Sequence, residues 1–371
     1  MKRLCIYLIY DKENIIDRYI TYFLREIRTC CTELVVVCNA KACWERSENA
    51  FSEDQVIYRD NIGYDAGGYK DALCSYIGWE KLEEYDELLL INDSFYGPFY
   101  PIQDAFAEMS AIGADYWGLT RSWEVVTEAA VPYGGHIQSY FLVFGKKVIS
   151  SSVFKNFWEQ MEYPKTMEET VRKFEIGINV LLKENGFQDA ALSDQYNHTW
   201  KTGKNENPYL EYSLELIRDC KIPILKYKSL LFGNKGYINA LKAFQFIEEN
   251  NLYPIQYIKE HFRRKSKWEA NMIDVELMER FYATHRRIFI YGHGICGKNV
   301  AAYFQYRGWQ VAGFLVTCVD EEGGEVVPFA QKQIEKDDGI IVAVGKKKML
   351  MEIEEYLKDK CETEQVLFPN L

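Results

Sequence analysis

No Cys-x-x-Cys pair occurs among the ten cysteines of this 371-residue chain, and its five histidines do not cluster with them. A zinc site of the usual ligand spacing is therefore not expected. No apolar run approaches the roughly 20 residues that span a bilayer. Met1-Lys2-Arg3 is basic, but the apolar run after it ends at Asp11, so a signal peptide is not expected either. Several cysteines lie inside apolar runs as buried thiols, and a reducing cytoplasm is the expected location. Basic charge is in deficit: 44 Lys and Arg against 55 Asp and Glu leave a net −11, which argues against a nucleic-acid partner. There is no internal repeat, no low-complexity tract and no segment of disordered composition.

What is present is apolar and aromatic. With 48% hydrophobic and 15% aromatic residues the chain can bury sizeable cores, and its length calls for more than one domain. Its 27 tyrosines and 8 tryptophans include rings of the kind that line carbohydrate sites, although ordinary packing accounts for most of them. Strand Leu4–Tyr10, a helix carrying Ile16, Ile20, Phe23 and Ile27, and strand Leu34–Val37 make a βαβ opening, hence a parallel sheet with a right-handed crossover. Val56–Tyr58 is a third strand and Tyr69–Ile77 a helix. After Pro98 come a helix at Gln103–Met109, a strand at Tyr116–Leu119, a long loop Arg121–Gly135, a strand His136–Phe144 and a helix Val153–Met161. The remainder to about Arg264 is mainly helical, with a strand near Ile222–Leu225. The division expected is a first domain over 1–265, a helical linker over 266–286 and a small Rossmann-like domain over 287–371.

Two stretches organise the first domain. "NIGYDAGGY" is turn-rich, holding Asn61, Gly63, Asp65, Gly67 and Gly68, with Lys70 just after it, and suits a loop close to a phosphate or sugar. "LLLINDSFYGPF" is an apolar run closed by Asn92-Asp93-Ser94, which reads as a buried parallel strand with an acid at its C-terminal edge. Ligands of open α/β sheets bind at that edge, so the two stretches are expected to wall one pocket. Plainer readings stand beside these: Asp65 as a helix N-cap and Asp93 as a turn residue. Glu175 is expected to open a helix closed by Gly186, where the helix dipole favours a carboxylate and keeps it ionised. His136, with Gln138 and Ser139 on the same strand, is a ligand or acceptor-side candidate, or simply a hydrogen-bonded strand histidine.

Taken in order, "NIGYDAGGY", "LLLINDSFYGP", "HIQSYFLVF", "FEIGINVLLKENGF" and "NPYLEYSLELIRDCKIPILK" resemble the rhamnan synthesis protein F family over about residues 1–265. The resemblance implies an α/β, GT-A-like Rossmann-type glycosyltransferase of bacterial cell-wall polysaccharide and lipopolysaccharide assembly. The donor would be a nucleotide-sugar, dTDP-rhamnose among the candidates, and the acceptor a lipid-linked glycan. By comparison with inverting enzymes of this class, Asn92-Asp93-Ser94 takes the place of a metal-binding DxD, and Glu175 that of the general base. Because Asn92 and Ser94 replace both outer acids, Mg or Mn would depend on Asp93, with His136 or Asp65 as supplementary ligands. Tyr10, Asp11 and Asn39 would hold base and ribose, Lys70 would offset diphosphate charge, and the Arg121–Gly135 loop would close as a lid.

Toward the C-terminus, Gly292, Gly294 and Gly297 form a GxGxxG after a strand and before a helix. The acid expected about 20 residues further on is missing, since Thr317 and Cys318 follow the next strand. This unit resembles small Rossmann-like domains of bacterial sugar-modifying proteins, and serves either oligomerisation or anion and nucleotide binding. Arg263, Arg264, Lys265 and Lys267 suggest a peripheral membrane contact or a solvated helix end. Two alternatives to a transferase are a non-catalytic nucleotide-sugar-binding scaffold or sensor, and an NAD-dependent sugar-nucleotide enzyme working through the glycine loop.

Overall fold

The computed structural model describes residues 1–39, 55–123, 135–195, 207–265, 275–318 and 326–368. Packing divides the chain into two compact units, Met1–Lys226 with Phe246–Tyr253, and Tyr227–Gln245 with Pro254–Leu371.

In the first unit β1 (Arg3–Ile9), β2 (Glu33–Cys38), β3 (Gln55–Tyr58) and β4 (Glu87–Asn92) run parallel in the order β3-β2-β1-β4. Leu4 to Ile9 and Leu88 to Ile91 are buried on both faces, which is why these strands read as continuous apolar runs. Beyond β4 the sheet continues through β9 (Phe141–Gly145), β6 (Tyr116–Gly118) and β10 (Asp189–Ala191). β9 is antiparallel to β4 and β6, while β10 is parallel to β6. This mixed, parallel-rich sheet with helices on its faces is the Rossmann-type α/β arrangement expected. Two short ladders sit beside it: β5 (Phe95–Tyr96) with β11 (Leu225–Lys226), and β7 (Arg121–Ser122) with β8 (His136–Ile137). On one face of the sheet Leu4, Ile6 and Leu8 meet Tyr69, Leu73, Trp158 and Phe174. An aromatic chain elsewhere in the unit links Tyr7, Phe23, Phe95, Tyr140 and Tyr209 through successive ring contacts of 4.8–5.9 Å. Much of the aromatic content is therefore core.

Three local expectations change. The segment Tyr64–Asp71 is helical and continues through a π-helical stretch Ala72–Ile77, so Gly67 and Gly68 lie inside a helix and not in a loop. His136–Phe144 is broken by a turn at 138–140, because β8 pairs with β7 whereas β9 pairs with β4 and β6. Glu175 does not open a helix. It lies in a π-helical stretch, Val171–Ile176, between helices Met167–Thr170 and Gly177–Glu184. Gly186 (φ +78°) follows the C-cap as expected, with its N–H on Lys183 O and that of Phe187 on Leu182 O.

The second unit holds five parallel strands, β12 (Arg287–Tyr291), β13 (Gly313–Val316), β14 (Val326–Pro328), β15 (Asp338–Val342) and β16 (Val366–Leu367), ordered β14-β13-β12-β15-β16. The two edge strands, of three and two residues, are too short for periodicity to reveal. Residues 227–245 join this unit because Phe232, Tyr237 and Leu241 share its core with Met278, Phe281 and Ile288. Met278 and Phe281 belong to helix Val275–Thr284, inside the stretch expected as linker. Among the described residues no helix is long and apolar enough to cross a membrane. Of the basic stretch, Arg263 pairs with Glu276, and Lys267 lies outside the described residues.

Candidate functional site

The chain leaves β1 toward β2 and β3 and returns to β4 on β1's other side. The gap between the C-terminal ends of β1 and β4 is thus the switch point where α/β sheets bind ligands. Tyr10 and Asp93 face one another across it: the Tyr10 N–H donates to Asp93 Oδ2 at 3.1 Å. Tyr19 Oη donates to the Asp93 carbonyl at 2.9 Å. Asn92 Nδ2 donates to Asp65 Oδ2 at 2.7 Å, so the two expected walls do meet. Asn92 Oδ1 in turn accepts from the Ser94 N–H (3.2 Å) and hydroxyl (2.5 Å). Burial, and then the negative charge of Asp93, push the Tyr7 and Tyr19 hydroxyls well up.

Other expected residues brace this edge. Asp11, 3% exposed, accepts the N–H groups of Glu13 (2.9 Å) and Ile15 (3.1 Å). The Asn39 side chain accepts the Asp11 N–H at 3.1 Å and donates to its carbonyl at 2.8 Å, tying the end of β2 to that of β1. Asn61 is half-buried in the turn before the helix. Gly63 (φ +75°) and Tyr64 (φ 52°) are both left-handed there, a conformation glycine adopts freely. A Cβ on Gly67 would lie 2.1 Å from the Ile62 carbonyl, and one on Gly68 2.1 Å from Leu8 Cδ1. Gly68 lets the helix sit close to β1, and Gly67 admits the carbonyl of the turn that leads into the helix. Gly67→Ala is expected to cost about 1–3 kcal/mol in urea unfolding, since overpacking against a backbone oxygen outweighs alanine's better helix propensity. A midpoint unchanged or raised would contradict this close approach. Lys70 is directed to the C-terminal end of helix Ser152–Gln160, donating to the Glu159 (3.0 Å) and Met161 (2.6 Å) carbonyls, and not toward the switch point.

The turn at 138–140 continues the same edge, for the Asn92 N–H donates to the Tyr140 carbonyl at 3.2 Å. Glu175 holds this turn. Its Oε2 accepts the Ser139 N–H (2.8 Å) and hydroxyl (2.5 Å), and its Oε1 lies 3.1 Å from His136 Nε2. Burial works against its charge, but the His136 contact and the Ser139 donors prevail and hold the carboxyl at about 2. His136 is buried, and its Nδ1 makes no hydrogen bond among the described residues. Gln138 Oε1 accepts from Thr120 Oγ1 at 2.7 Å.

Two features had no local signal in the sequence. Lys226, on β11, reaches Ser94 Oγ at 2.8 Å, and its ammonium stands 4.4 Å from the centroid of the Tyr140 ring. Arg121, 8% exposed, pairs with Asp189 (2.7 Å) and Asp194 (2.8 Å), and Lys183 adds a 3.0 Å bridge to Asp189. Burial disfavours the Arg121 charge, yet the two carboxylates raise its pKa, and its own charge, with that of Lys183, lowers that of Asp189. The loop that Arg121 begins lies outside the described residues from 124 to 134.

A divalent ion would find few ligands here. Asn92 and Ser94 satisfy one another, Asn92 turns an N–H donor toward Asp65, and His136 is committed to Glu175. Among the described residues no three His, Cys, Asp or Glu side chains are grouped to hold a metal. In the second unit a Cβ on Gly292 (φ +117°) would lie 2.6 Å from the Ala343 carbonyl, and one on Gly297 1.9 Å from the Gly292 carbonyl, while Gly294 has open space. Thr317, where an acid was sought, shares a 2.8 Å hydrogen bond with the Tyr291 hydroxyl.

Three comparisons place the chain among known proteins. It is 27% identical over 191 residues to the uncharacterized protein y4gN of Sinorhizobium fredii, covering 51% of this chain and 48% of that one. It is 28% identical over 141 residues to the virulence protein VirA of Vibrio anguillarum, covering 38% of this chain and 42% of that one. The chain thus spans less than half the length of either curated relative. Among solved structures, mouse xyloside xylosyltransferase 1 superposes with a TM-score of 0.31 at 12% identity, over 61% of this chain and 97% of that one. A sequence model described as rhamnan synthesis protein F matches residues 34–296, and the chain belongs to that family.

Proposed function

We propose that this chain is a glycosyltransferase of cell-surface polysaccharide synthesis, moving a sugar from a nucleoside-diphosphate donor onto a glycan acceptor. The observation that carries the reading is the Asp65–Asn92–Asp93 constellation at the switch point between β1 and β4, on a chain of this family. Rhamnose from dTDP-rhamnose is the first donor to try, and a lipid-linked glycan the first acceptor. The donor lies along the ends of β1 and β4, and the acceptor approaches beside the turn at 138–140. In a single displacement the bond from the anomeric carbon to the diphosphate breaks as the acceptor oxygen attacks, and the proton of the acceptor hydroxyl passes to water or to the departing diphosphate. Charge gathers on the departing diphosphate, and groups already in place along the edge stabilise it there. Glu175, whose two oxygens are occupied and whose pKa lies far below neutrality, serves in this reading to hold His136 and the turn.

The experiment is release of nucleoside diphosphate from a panel of nucleotide-sugars by the full chain, with Asp93→Asn beside it. One sugar nucleotide should be turned over, and Asp93→Asn should lower its rate about 100-fold or more, the scale of losing one charge-stabilising group. Turnover of none, or an Asp93→Asn variant as fast as the parent, would remove the reading.

A further inference from the structure

Ile62 and Tyr163 stand in solvent beside the turn that opens helix Tyr64–Asp71, 61% and 41% exposed. Both border the same pair of glycines. A Cβ on Gly63 would lie 2.7 Å from Tyr163 Cδ1, and one on Gly67 would lie 3.1 Å from it and 2.1 Å from the Ile62 carbonyl. The missing side chains thus let the tyrosine ring lie with its edge against the turn.

Tyr163 is held as well as exposed. Its hydroxyl donates to Asp71 Oδ1 at 2.5 Å, and Asp71 Oδ2 lies 2.9 Å from Arg59 Nε. Arg59 donates from a second nitrogen to the Ile62 carbonyl at 2.5 Å, which closes a clamp around the turn. Lys70 stands 5.6 Å from the ring centroid and is itself held on the Glu159 and Met161 carbonyls. A ring fixed in advance offers flat, amphipathic contact area with little further loss of entropy on binding.

The ring also stands close to the switch point. Gly63 precedes Asp65 by two residues, at most about 7 Å of chain, and Asp65 Oδ2 accepts from Asn92 there. Helix Met167–Thr170 begins four residues after Tyr163 and runs into the π-helical stretch whose Glu175 holds the 138–140 turn. A pyranose presents one face of C–H bonds, apolar and slightly positive, and carries its hydroxyls around the rim. The face of a tyrosine ring is negative, so the two stack.

We propose that Tyr163, with Ile62 beside it, is a stacking platform for a sugar ring of the acceptor glycan. This rests on the glycosyltransferase reading of the same site. The test is saturation-transfer NMR titration of the full chain with the methyl glycosides of rhamnose, glucose and N-acetylglucosamine, and separately with UMP, GMP, CMP and dTMP. At least one glycoside should bind, with saturation reaching its ring C–H protons. Tyr163→Ala should raise its Kd about 3- to 10-fold, the worth of an aromatic contact, and Tyr163→Phe should keep most of the affinity. A glycoside Kd unchanged in Tyr163→Ala would overturn the platform. So would a nucleotide Kd that rises in its place, since the ring would then stack a base. Binding of no glycoside by a chain that still releases nucleoside diphosphate from a sugar nucleotide would overturn the platform and keep the transferase reading. Neither binding nor release would overturn both. Should Tyr163→Ala not fold, Ile62→Ser reads the same surface at an exposed position. It should weaken the same glycoside about twofold or more through lost apolar contact, and an unchanged Kd would overturn the platform.

Discussion

Arg121→Met is expected to lower the stability of the first unit by about 3–5 kcal/mol, the cost of removing one partner from a buried ion pair. Arg121 is 8% exposed and its guanidinium reaches two carboxylates, so its loss leaves Asp189 and Asp194 with too few cations in a poorly solvated place. The effect should fall at the lower end, because Lys183 remains 3.0 Å from Asp189. Adding Asp194→Asn should recover part of the loss, since it removes one of the two carboxylates that Arg121 neutralises, and a double-mutant cycle would measure that coupling. For a unit of this size the single change corresponds to roughly 6–12 °C in thermal midpoint. Differential scanning calorimetry suffices to read it. A shift within a degree of the parent would mean that the cluster is solvated and worth no more than a surface bridge.

Glu175→Gln is the second large effect, and it separates two roles for one carboxylate. The folded carboxyl titrates at about 2 against an ordinary value of 4.5. A depressed carboxyl contributes stability that is fully present above the unfolded value and is lost as pH falls from about 4.5 toward 2. The contribution near neutral pH is about 3 kcal/mol, taking each pKa unit at its free-energy equivalent. Glu175→Gln should therefore be less stable than the parent by about that amount at pH 7, and the gap should narrow progressively as pH falls from about 4.5 toward 2. Urea unfolding at pH 7, 5 and 3.5 gives the comparison. A gap that stays constant with pH would show that charge is not what Glu175 contributes. For transfer, the rate per folded molecule should fall less than about tenfold, because a holder of the turn is partly replaced by an amide, whereas loss of a general base costs about 10²–10⁴-fold. A collapse in rate with stability intact would restore Glu175 as the base.

Much of this molecule is legible in its residues one stretch at a time. Leu4 to Ile9 and Leu88 to Ile91 are apolar on both faces because they are central strands, and periodicity finds them. Asp93 is visible as the acid closing such a run, and Gly292 to Gly297 as a strand-to-helix turn. The helix at Tyr64 was hidden because two glycines within five residues read as a loop, although they are there to admit Leu8 and the Ile62 carbonyl. The break at 138–140 was hidden because β8 and β9 are only three residues apart and read as one strand, and only their different partners distinguish them. Glu175 was visible as a helical carboxylate, but its π-helical setting and its three donors were not.

Composition and spacing alone thus determined the class of fold, the position of the switch point and the carboxylates gathered there. Those properties are local: a strand's burial pattern and its terminal residue are set within a few positions. Only the tertiary structure decided which charges meet. Lys226 lies 132 residues from Ser94, Arg121 lies 73 from Asp194, and Glu175 lies 36 from Ser139. Nothing in the local pattern distinguishes these side chains from solvated ones, because their partners come from other strands and helices. Their contacts, and the shifted pKa values of Arg121 and Glu175, follow from the packing that the sheet imposes on them.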